Sequence, residues 1–470
     1  METRIQRSAG GPSDTAQASG KAPAAEQQMI AKASKPAREA LRLHPLYHGK
    51  IQMLPKCPIR GLDDFAIWYT PGVAAACSAI QARPDLVYDY TNKANTIAIV
   101  TNGTRVLGLG DIGPEAGLPV MEGKALLFKY LGGVDAIPIC LRARDPDLVV
   151  QVTTALEPSF GGINLEDIAQ PDCFHILDAL RSRMSIPVWH DDQQGSATVV
   201  LAGLRNALDI VGKRLDGVRI AMIGVGAANV ATYRLLTAAG VPPGSIVACD
   251  SKGTLHSGRK DVEAEQVRFF DKWRICRESN GEGLVGGIAE ALRGADVAIA
   301  FSASGPGIID PAWLKGMRKD AILFACANPV PEVWPWAALE AGVRIVATGR
   351  SDFPNQVNNS LAFPGIFRGV LDVRARTVSE AMVIAAADTL AEAARASGLR
   401  EDRILPSMDD WQVAARIAAA TGVAAVREGL AAHPVDADGL FQSACQTISA
   451  AREATQVLMR AGLIAAPPEA

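Results

Sequence analysis

The apolar positions along the chain change their spacing three times. From 36 to 195 short apolar runs are broken by Gly and Pro, and Ile97–Val100, Val106–Leu109 and Val134–Cys140 read as buried strands. Residues 197–211 (ATVVLAGLRNALDIV) carry helical spacing. From 218 to 350 strands and helices alternate. Val218–Ile223 is followed by a helix over Asn229–Ala239 that stops at Gly240, then by a strand at Ser245–Cys249. Further strands are expected at Val297–Phe301, Ile322–Ala325 and Arg344–Ala347. That alternation predicts a parallel, doubly wound sheet. Residues 377–465 are Ala-rich with helical periodicity and no strand signal. Residues 1–28, rich in Ala, Gly, Ser and Gln, lack any period and read as a disordered arm.

The fold class is therefore α/β. The expected organisation is a disordered arm (1–35), an N-terminal α/β substrate and metal domain (36–196), a Rossmann-like nucleotide-binding domain (197–375) and a helical C-terminal segment (376–470).

Composition narrows the function classes. The 470 residues are 49% hydrophobic and 21% charged, with a formal net charge of -3. That is enough apolar side chain for a folded core, and there is no basic excess to neutralise phosphates, so nucleic acid is not an expected partner. Apolar stretches are too short, or too often cut by charge, to span a bilayer. Eight cysteines are scattered from Cys57 to Cys445 without a CxxC, the pattern of reduced thiols, and the first residues show no apolar signal core. A cytoplasmic location is expected.

Two glycine motifs compete for a nucleotide. Gly108-Leu-Gly110-Asp-Ile-Gly113 matches G-x-G-x-x-G fully; Gly224-Val225-Gly226-Ala227-Ala228-Asn229 has Asn at the third glycine. The fingerprint works because a strand delivers the chain to a tight turn and a helix N-terminus then points free N–H groups at the pyrophosphate. The second motif has both flanks. The first runs into PEAGLP, which is not expected to open a regular helix, so it reads as a bend between strand and loop. Asp250 ends the next strand, where an acid would accept ribose hydroxyls. Ser251 and Lys252 follow it and offer contacts to a 2′-phosphate, so NAD and NADP both stay open.

Two acid pairs stand in apolar or glycine-rich surroundings: Glu166-Asp167 in GGINLED and Asp191-Asp192 in WHDDQQG. Buried carboxylates repel unless a cation compensates, and oxygen donors suit Mg²⁺ or Mn²⁺. His190 reads as a packed residue. Asp172, Cys173 and His175 read as helix-start and packing residues rather than a metal trio. By pattern alone Lys124, in MEGKALLFK, is a solvated helix lysine, and Tyr69 a core tyrosine before a turn. Arg105 reads as a partner for Asp111, and Asn328 as a turn residue before Pro329.

An ordered series of segments resembles the malic enzyme family, in its short bacterial form: YTPGVA (69–74), TNGTRVLGLGD (101–111), EGK (122–124), GGINLED (161–167), HDDQQG (190–195), CANP (326–329) and ATGRSDFPNQVNN (347–359). The resemblance implies oxidative decarboxylation of L-malate to pyruvate and CO₂ with reduction of NAD(P)⁺. It implies Lys124 as general base assisted by Asp191, Tyr69 as the acid that protonates C3, and Glu166, Asp167 and Asp192 as ligands of Mg²⁺ or Mn²⁺. It further implies Arg105 as a clamp on a malate carboxylate, and Asn328 and Asn358 (with Asn359 alongside) as contacts to substrate and nicotinamide. Gly224, Val225, Gly226, Ala227, Ala228 and Asp250 would line the cofactor. Family members form homodimers or larger homo-oligomers, and the same is expected here. Two departures stand out: Gln194, where many short members have His, and Asn229 in the fingerprint. Two alternatives remain: a malolactic enzyme, yielding lactate and CO₂, and a catalytically silent cofactor-binding regulator.

Overall fold

The computed structural model describes residues 24–468. The helix Ala24–Tyr47 belongs to a separate unit ending at His48. Of the arm expected over 1–35, residues 1–23 lie outside the described residues, and 24–35 are part of that helix.

The second unit, from Gly49 onward, holds two sheets. The first contains β1 (Thr96–Thr101), β2 (Asp135–Cys140), β3 (Gly162–Leu165) and β4 (Val188–His190) in the order β2-β1-β3-β4, all parallel. The second contains β5 (Ile220–Ile223), β6 (Ile246–Asp250), β7 (Gly253–Thr254), β8 (Val297–Ala300), β9 (Ile322–Ala325) and β10 (Ile345–Thr348). Its order is β10-β9-β8-β5-β6-β7, parallel except for the short β6–β7 pair. Both faces of such a sheet are covered, so β5, β8, β9 and β10 are buried at every position and read as apolar runs, broken only by Thr348 at the end of β10.

Two local expectations are corrected. Val106–Leu109 is a tight turn, closed by Val106 N–H on the Gly110 carbonyl at 2.9 Å, with Leu107 and Leu109 exposed. Pro114 does open a helix, Pro114–Gly132, because proline at the first helical position loses only an N–H that has no partner there. The chain also continues helically through Pro119, at the expense of one internal bond.

One contiguous core joins the two sheets to the C-terminal helices. It includes Ile99, Phe128 and Trp189 from the first sheet and its helices, Ile220 and Phe324 from the second, and Phe363 and Ile417 beyond them. The helix Phe363–Asp372 is buried almost throughout, and its Phe363 and Phe367 rings lie 4.5 and 5.1 Å from that of Phe128. Helices Glu380–Ala396, Gln412–Arg427 and Ala437–Arg460 complete the helical segment. Among the described residues no helix is long and apolar enough to cross a membrane. The eight cysteines are all unpaired.

Candidate active site

The acid pairs converge because they leave adjacent parallel strands at the same level. Leu165 of β3 pairs in register with His190 of β4, so Glu166-Asp167 and Asp191-Asp192 follow side by side at the carboxyl ends. That end of a parallel sheet is where α/β folds place their ligands. The Pro114–Gly132 helix adds Lys124 from the face that also buries Met121, Ala125 and Phe128, at helical spacing. Lys124 is therefore buried, not solvated. Its Nζ lies 2.5 Å from Asp191 Oδ2, 3.0 Å from Glu166 Oε1 and 4.4 Å from the centre of the Phe363 ring.

Asp191 is fully buried and has both oxygens engaged. Trp189 Nε1 donates to Oδ1 at 3.0 Å while Lys124 donates to Oδ2. The chain turns here as a π-helical segment, Asp191–Gly195, before the Ser196–Val211 helix. Such turns recur at functional sites. Trp189 and Phe363 were not singled out from sequence. A Trp two positions before an acid on a strand, thus on the same face, was an available signal. Phe363 gave none, since its contact depends on the fold of the C-terminal segment.

The cluster is electrostatically tense. Burial, followed by repulsion from Asp192, Asp191 and Asp167, pushes the Glu166 carboxyl well above its ordinary value despite the attraction of Lys124. Burial and Asp192 push Asp167 up to about 8, opposed by the Leu107 N–H and by Lys124 and Arg105. Asp192 is raised by burial. Burial pulls Lys124 down, but Asp191, Glu166 and Asp192 outweigh it and hold the ammonium form. His190 is the packed residue expected. Burial drives it down to about 3, so its ring is neutral and its 3.6 Å approach to Asp192 is not an ion pair.

The donor set fits a hard divalent cation. Asp167 Oδ2 is buried without any hydrogen-bond partner, beside carboxylates that only added positive charge would settle. Asn164 Nδ2 donates to Glu166 Oε2 at 2.9 Å, and the Asp167 N–H to Asp192 Oδ2 at 2.8 Å, which fixes the carboxylates from behind. As they stand, no three Asp, Glu, His or Cys side chains among the described residues already form a closed cage for an ion.

Arg105 is exposed and is not paired with Asp111, whose partner is Arg144. The Arg105 side chain makes no hydrogen bond to another described residue, and its charge acts on Asp167 and Asp192. The Gly108 loop lies against Asn328: a Cβ at Gly108 would overlap the Asn328 carbonyl. The full glycine motif thus allows a close approach between the loop after β1 and the loop after β9. Asn328 is exposed there, whereas Asn358 is half-buried and accepts the Ser360 N–H at 3.0 Å.

The second motif turns at Gly224, φ +88°, between β5 and the Ala227–Ala238 helix. Asn229 replaces a third glycine with a tether. Its Nδ2 donates to the carbonyls of Ile223 at 3.0 Å and Gly224 at 2.8 Å, binding helix to strand end. Asp250 is at the end of β6 as expected, but its carboxylate is already occupied. Arg259 holds both oxygens at 3.1 and 3.0 Å, and Lys272 adds a contact at 2.5 Å. Tyr69 is 70% exposed rather than a core residue, and its side chain makes no hydrogen bond to a described residue, whereas the Lys124–Asp191 pair is buried.

Residues 48–181 match the malic enzyme N-terminal domain and residues 193–426 the malic enzyme NAD binding domain. The chain belongs to the malic enzyme family. A bifunctional malic/malolactic enzyme of Bacillus subtilis is 47% identical over 402 residues, covering 85% of this chain and 95% of that protein. An NAD-dependent malic enzyme of Geobacillus stearothermophilus is 47% identical over 383 residues, covering 82% and 78%. The crystal structure of Entamoeba histolytica malic enzyme superposes with a TM-score of 0.92 at 45% identity, covering 96% of this chain and 93% of that one. This malic enzyme is accordingly an NAD(P)-dependent oxidoreductase built as an α/β protein with a Rossmann-type domain.

Proposed function

We propose that this malic enzyme, with a divalent cation bound, converts L-malate and NAD(P)⁺ into pyruvate, CO₂ and NAD(P)H. The observation that carries the reading is Lys124, buried between Asp191 and Glu166 at the ends of β3 and β4. We further assign substrate and metal binding to 36–196, nucleotide binding to 197–375 and the supporting helices to 376–470.

Glu166, Asp167 and Asp192 would hold Mg²⁺ or Mn²⁺, which would supply positive charge to stabilise the C2 oxygen as negative charge develops there. Lys124, in its neutral form, takes the proton of the C2 hydroxyl. Asp191, held by Trp189, receives the resulting ammonium in a fixed geometry. A bound nicotinamide would accept the hydride from C2, with Asn328 and Asn358 as the residues that would hold it. The C3–C4 bond then breaks, CO₂ leaves, and the Tyr69 phenol protonates C3. Arg105, whose side chain makes no hydrogen bond to a described residue, presents a planar fork to a malate carboxylate.

Tyr69 reaches this chemistry in a homo-oligomer. It sits between the helices Asp63–Trp68 and Val73–Ala82; the second is apolar yet has no buried residue, and Leu62, Ile67 and Trp68 are exposed beside it. A second copy of the chain would cover that segment. Eight unpaired cysteines support a reducing, cytoplasmic setting.

The test is to incubate purified protein with malate, Mn²⁺ and either NAD⁺ or NADP⁺. Pyruvate and reduced nucleotide should appear in equal amounts. The Bacillus subtilis relative gives the second reading its weight. Lactate without net nucleotide reduction would establish malolactic turnover instead.

A further inference from the structure

Glu332 is fully buried, yet it makes no ion pair to a described residue. Every hydrogen bond of its side chain is one it accepts. The Ser302 N–H donates to Oε1 at 2.8 Å and the Ser302 hydroxyl at 3.1 Å, while the Ala327 N–H donates to Oε2 at 3.0 Å. Acceptance alone is the pattern of an ionised carboxylate. Burial raises this carboxyl above its ordinary value, and the donors oppose that. A buried carboxylate is costly unless its oxygens are satisfied, and here each oxygen is taken by a different loop.

Those loops follow β8 and β9. The sheet order β10-β9-β8-β5-β6-β7 reverses the direction of winding between β5 and β8, and open α/β sheets take their ligands in the crevice at such a point. The Gly224 turn after β5 forms one lip, packed so closely that a Cβ at Gly224 would overlap the Phe301 carbonyl just before Ser302. The other lip is the pair of loops that Glu332 ties together. Further links run between them. Ser304 Oγ donates to the Val330 carbonyl at 3.1 Å and accepts the Val330 N–H at 3.0 Å, and the Gly307 and Ile309 N–H groups both donate to the Glu332 carbonyl at 3.2 Å. Asn328 stands between Ala327 and Val330, at the exposed tip of this lip. The Gly224 turn has tethers of its own, the Asn229 amide and its N–H on the Cys249 carbonyl at 2.8 Å, and so does not depend on Glu332.

We propose that Glu332 is a positioning residue for the nicotinamide end of the cofactor: by joining Ser302 to Ala327 it fixes where Asn328 stands relative to the Gly224 turn. The proposal rests on the reading of Asn328 as a nicotinamide contact and of Gly224 as the pyrophosphate turn, and not on the fate of malate. Glutamine has the shape of glutamate but one acceptor oxygen and an NH₂ donor. In Glu332→Gln that donor must face the N–H of Ser302 or of Ala327, and one of the two loops comes loose.

The test compares two probes by calorimetry on the full-length protein: the reduced nucleotide that the wild type binds more tightly, and ADP-ribose, which lacks the nicotinamide (with its 2′-phosphate if that nucleotide is NADPH). Glu332→Gln should raise Kd for the whole nucleotide about tenfold and leave Kd for ADP-ribose within about twofold. Ser304→Ala keeps Glu332 and removes an exposed link between the same loops, so it should shift the whole nucleotide the same way by about two- to threefold. That variant decides the matter if Glu332→Gln does not fold. Equal weakening of both probes would mean that Glu332 merely supports the domain, and would overturn the proposal. So would wild-type nucleotide binding in Glu332→Gln, or in Ser304→Ala where only that variant folds. Absence of malate turnover in the wild type, with the selective loss intact, would sink the proposed function and leave this role standing.

Discussion

Trp189 and Asp191 point to the same side of β4 and its continuation, and the indole N–H of the first donates to Oδ1 of the second at 3.0 Å. This bond leaves only Oδ2 for Lys124 and fixes its direction. A hydrogen bond to a charged acceptor is worth about 1.5–3 kcal/mol. Trp189→Phe keeps an aromatic ring in the core but loses the donor. kcat should fall by about 10- to 100-fold, with the folded state checked by thermal melting. Unchanged kcat in a folded variant would remove Trp189 from the machinery.

Gly195 closes the same turn from the other end. A Cβ there would overlap Asp191 Oδ1 and lie 2.8 Å from its Cγ, with Asn359 Cβ at 3.1 Å. No rotation of a flexible chain end relieves this, because Asp191 is held on both oxygens. Gly195→Ala should therefore cost at least about as much kcat as Trp189→Phe, with little change in overall fold by circular dichroism. Full activity in Gly195→Ala would show that Asp191 has room the structure does not give it.

These two relationships mark where sequence reasoning stops. The parallel sheet was legible because β5, β8, β9 and β10 are buried on both faces and hence apolar at every step but Thr348, the last of β10. β3 and β4 were harder, with 4 and 3 residues, and only the acids that follow drew attention to them. The Gly224 turn was legible from its flanking strand and helix. Pattern alone misread Lys124, because a helix lysine becomes buried only through what packs over it. Here Phe363 does so, far along the chain. The engagement of Asp250 by Arg259 and Lys272 was equally hidden, since both cations come from outside the fingerprint. The helical tail gave no functional signal in sequence.

Exposure of Tyr69 leads to a test of subunit sharing. Tyr69→Phe and Lys124→Ala each remove one partner of the proposed proton transfers and should each lower kcat by about 10² or more. If Tyr69 serves the Lys124 site of a second copy, mixing the two inactive variants restores one intact site in each mixed dimer. After complete subunit exchange, activity should recover to about a quarter of wild type. No recovery, with exchange verified by mass-tagged chains, would place both residues in one chain's site.

Asp296 supplies the pH prediction. It is buried before β8, where burial raises its carboxyl but the Arg219 N–H at 2.9 Å, Lys213 at 2.9 Å and Arg318 at 2.9 Å together hold it below its ordinary value. A carboxylate with a folded pKa below its unfolded one, about 3.9, contributes stability above that pH. The contribution is lost as pH falls through the folded value. Urea unfolding of the wild type should therefore weaken more steeply below about pH 4 than that of Asp296→Asn, and the two curves should converge at low pH. Parallel curves across that range would show that Asp296 is not the source of the acid sensitivity.

The cationic surroundings of Asp250 bear on which nucleotide is preferred. Arg259 spans Asp250 and Asp261, Lys272 also meets Asp250, and Lys252 lies 3.3 Å from Asp261, so three positive charges face two negative ones. A free acid at this strand end would accept the ribose hydroxyls of NAD⁺, but here the carboxylate is spent on Arg259. A 2′-phosphate, in contrast, would gain from the excess positive charge. Arg259→Ala should raise KM for NADP⁺ by about tenfold, equivalent to about 1.4 kcal/mol, and leave KM for NAD⁺ within about twofold or lower it by freeing Asp250. Steady-state kinetics with both nucleotides reads this directly. A larger rise for NAD⁺ than for NADP⁺ would mean that Arg259 orders the ribose pocket generally, and that the excess charge does not select the phosphate.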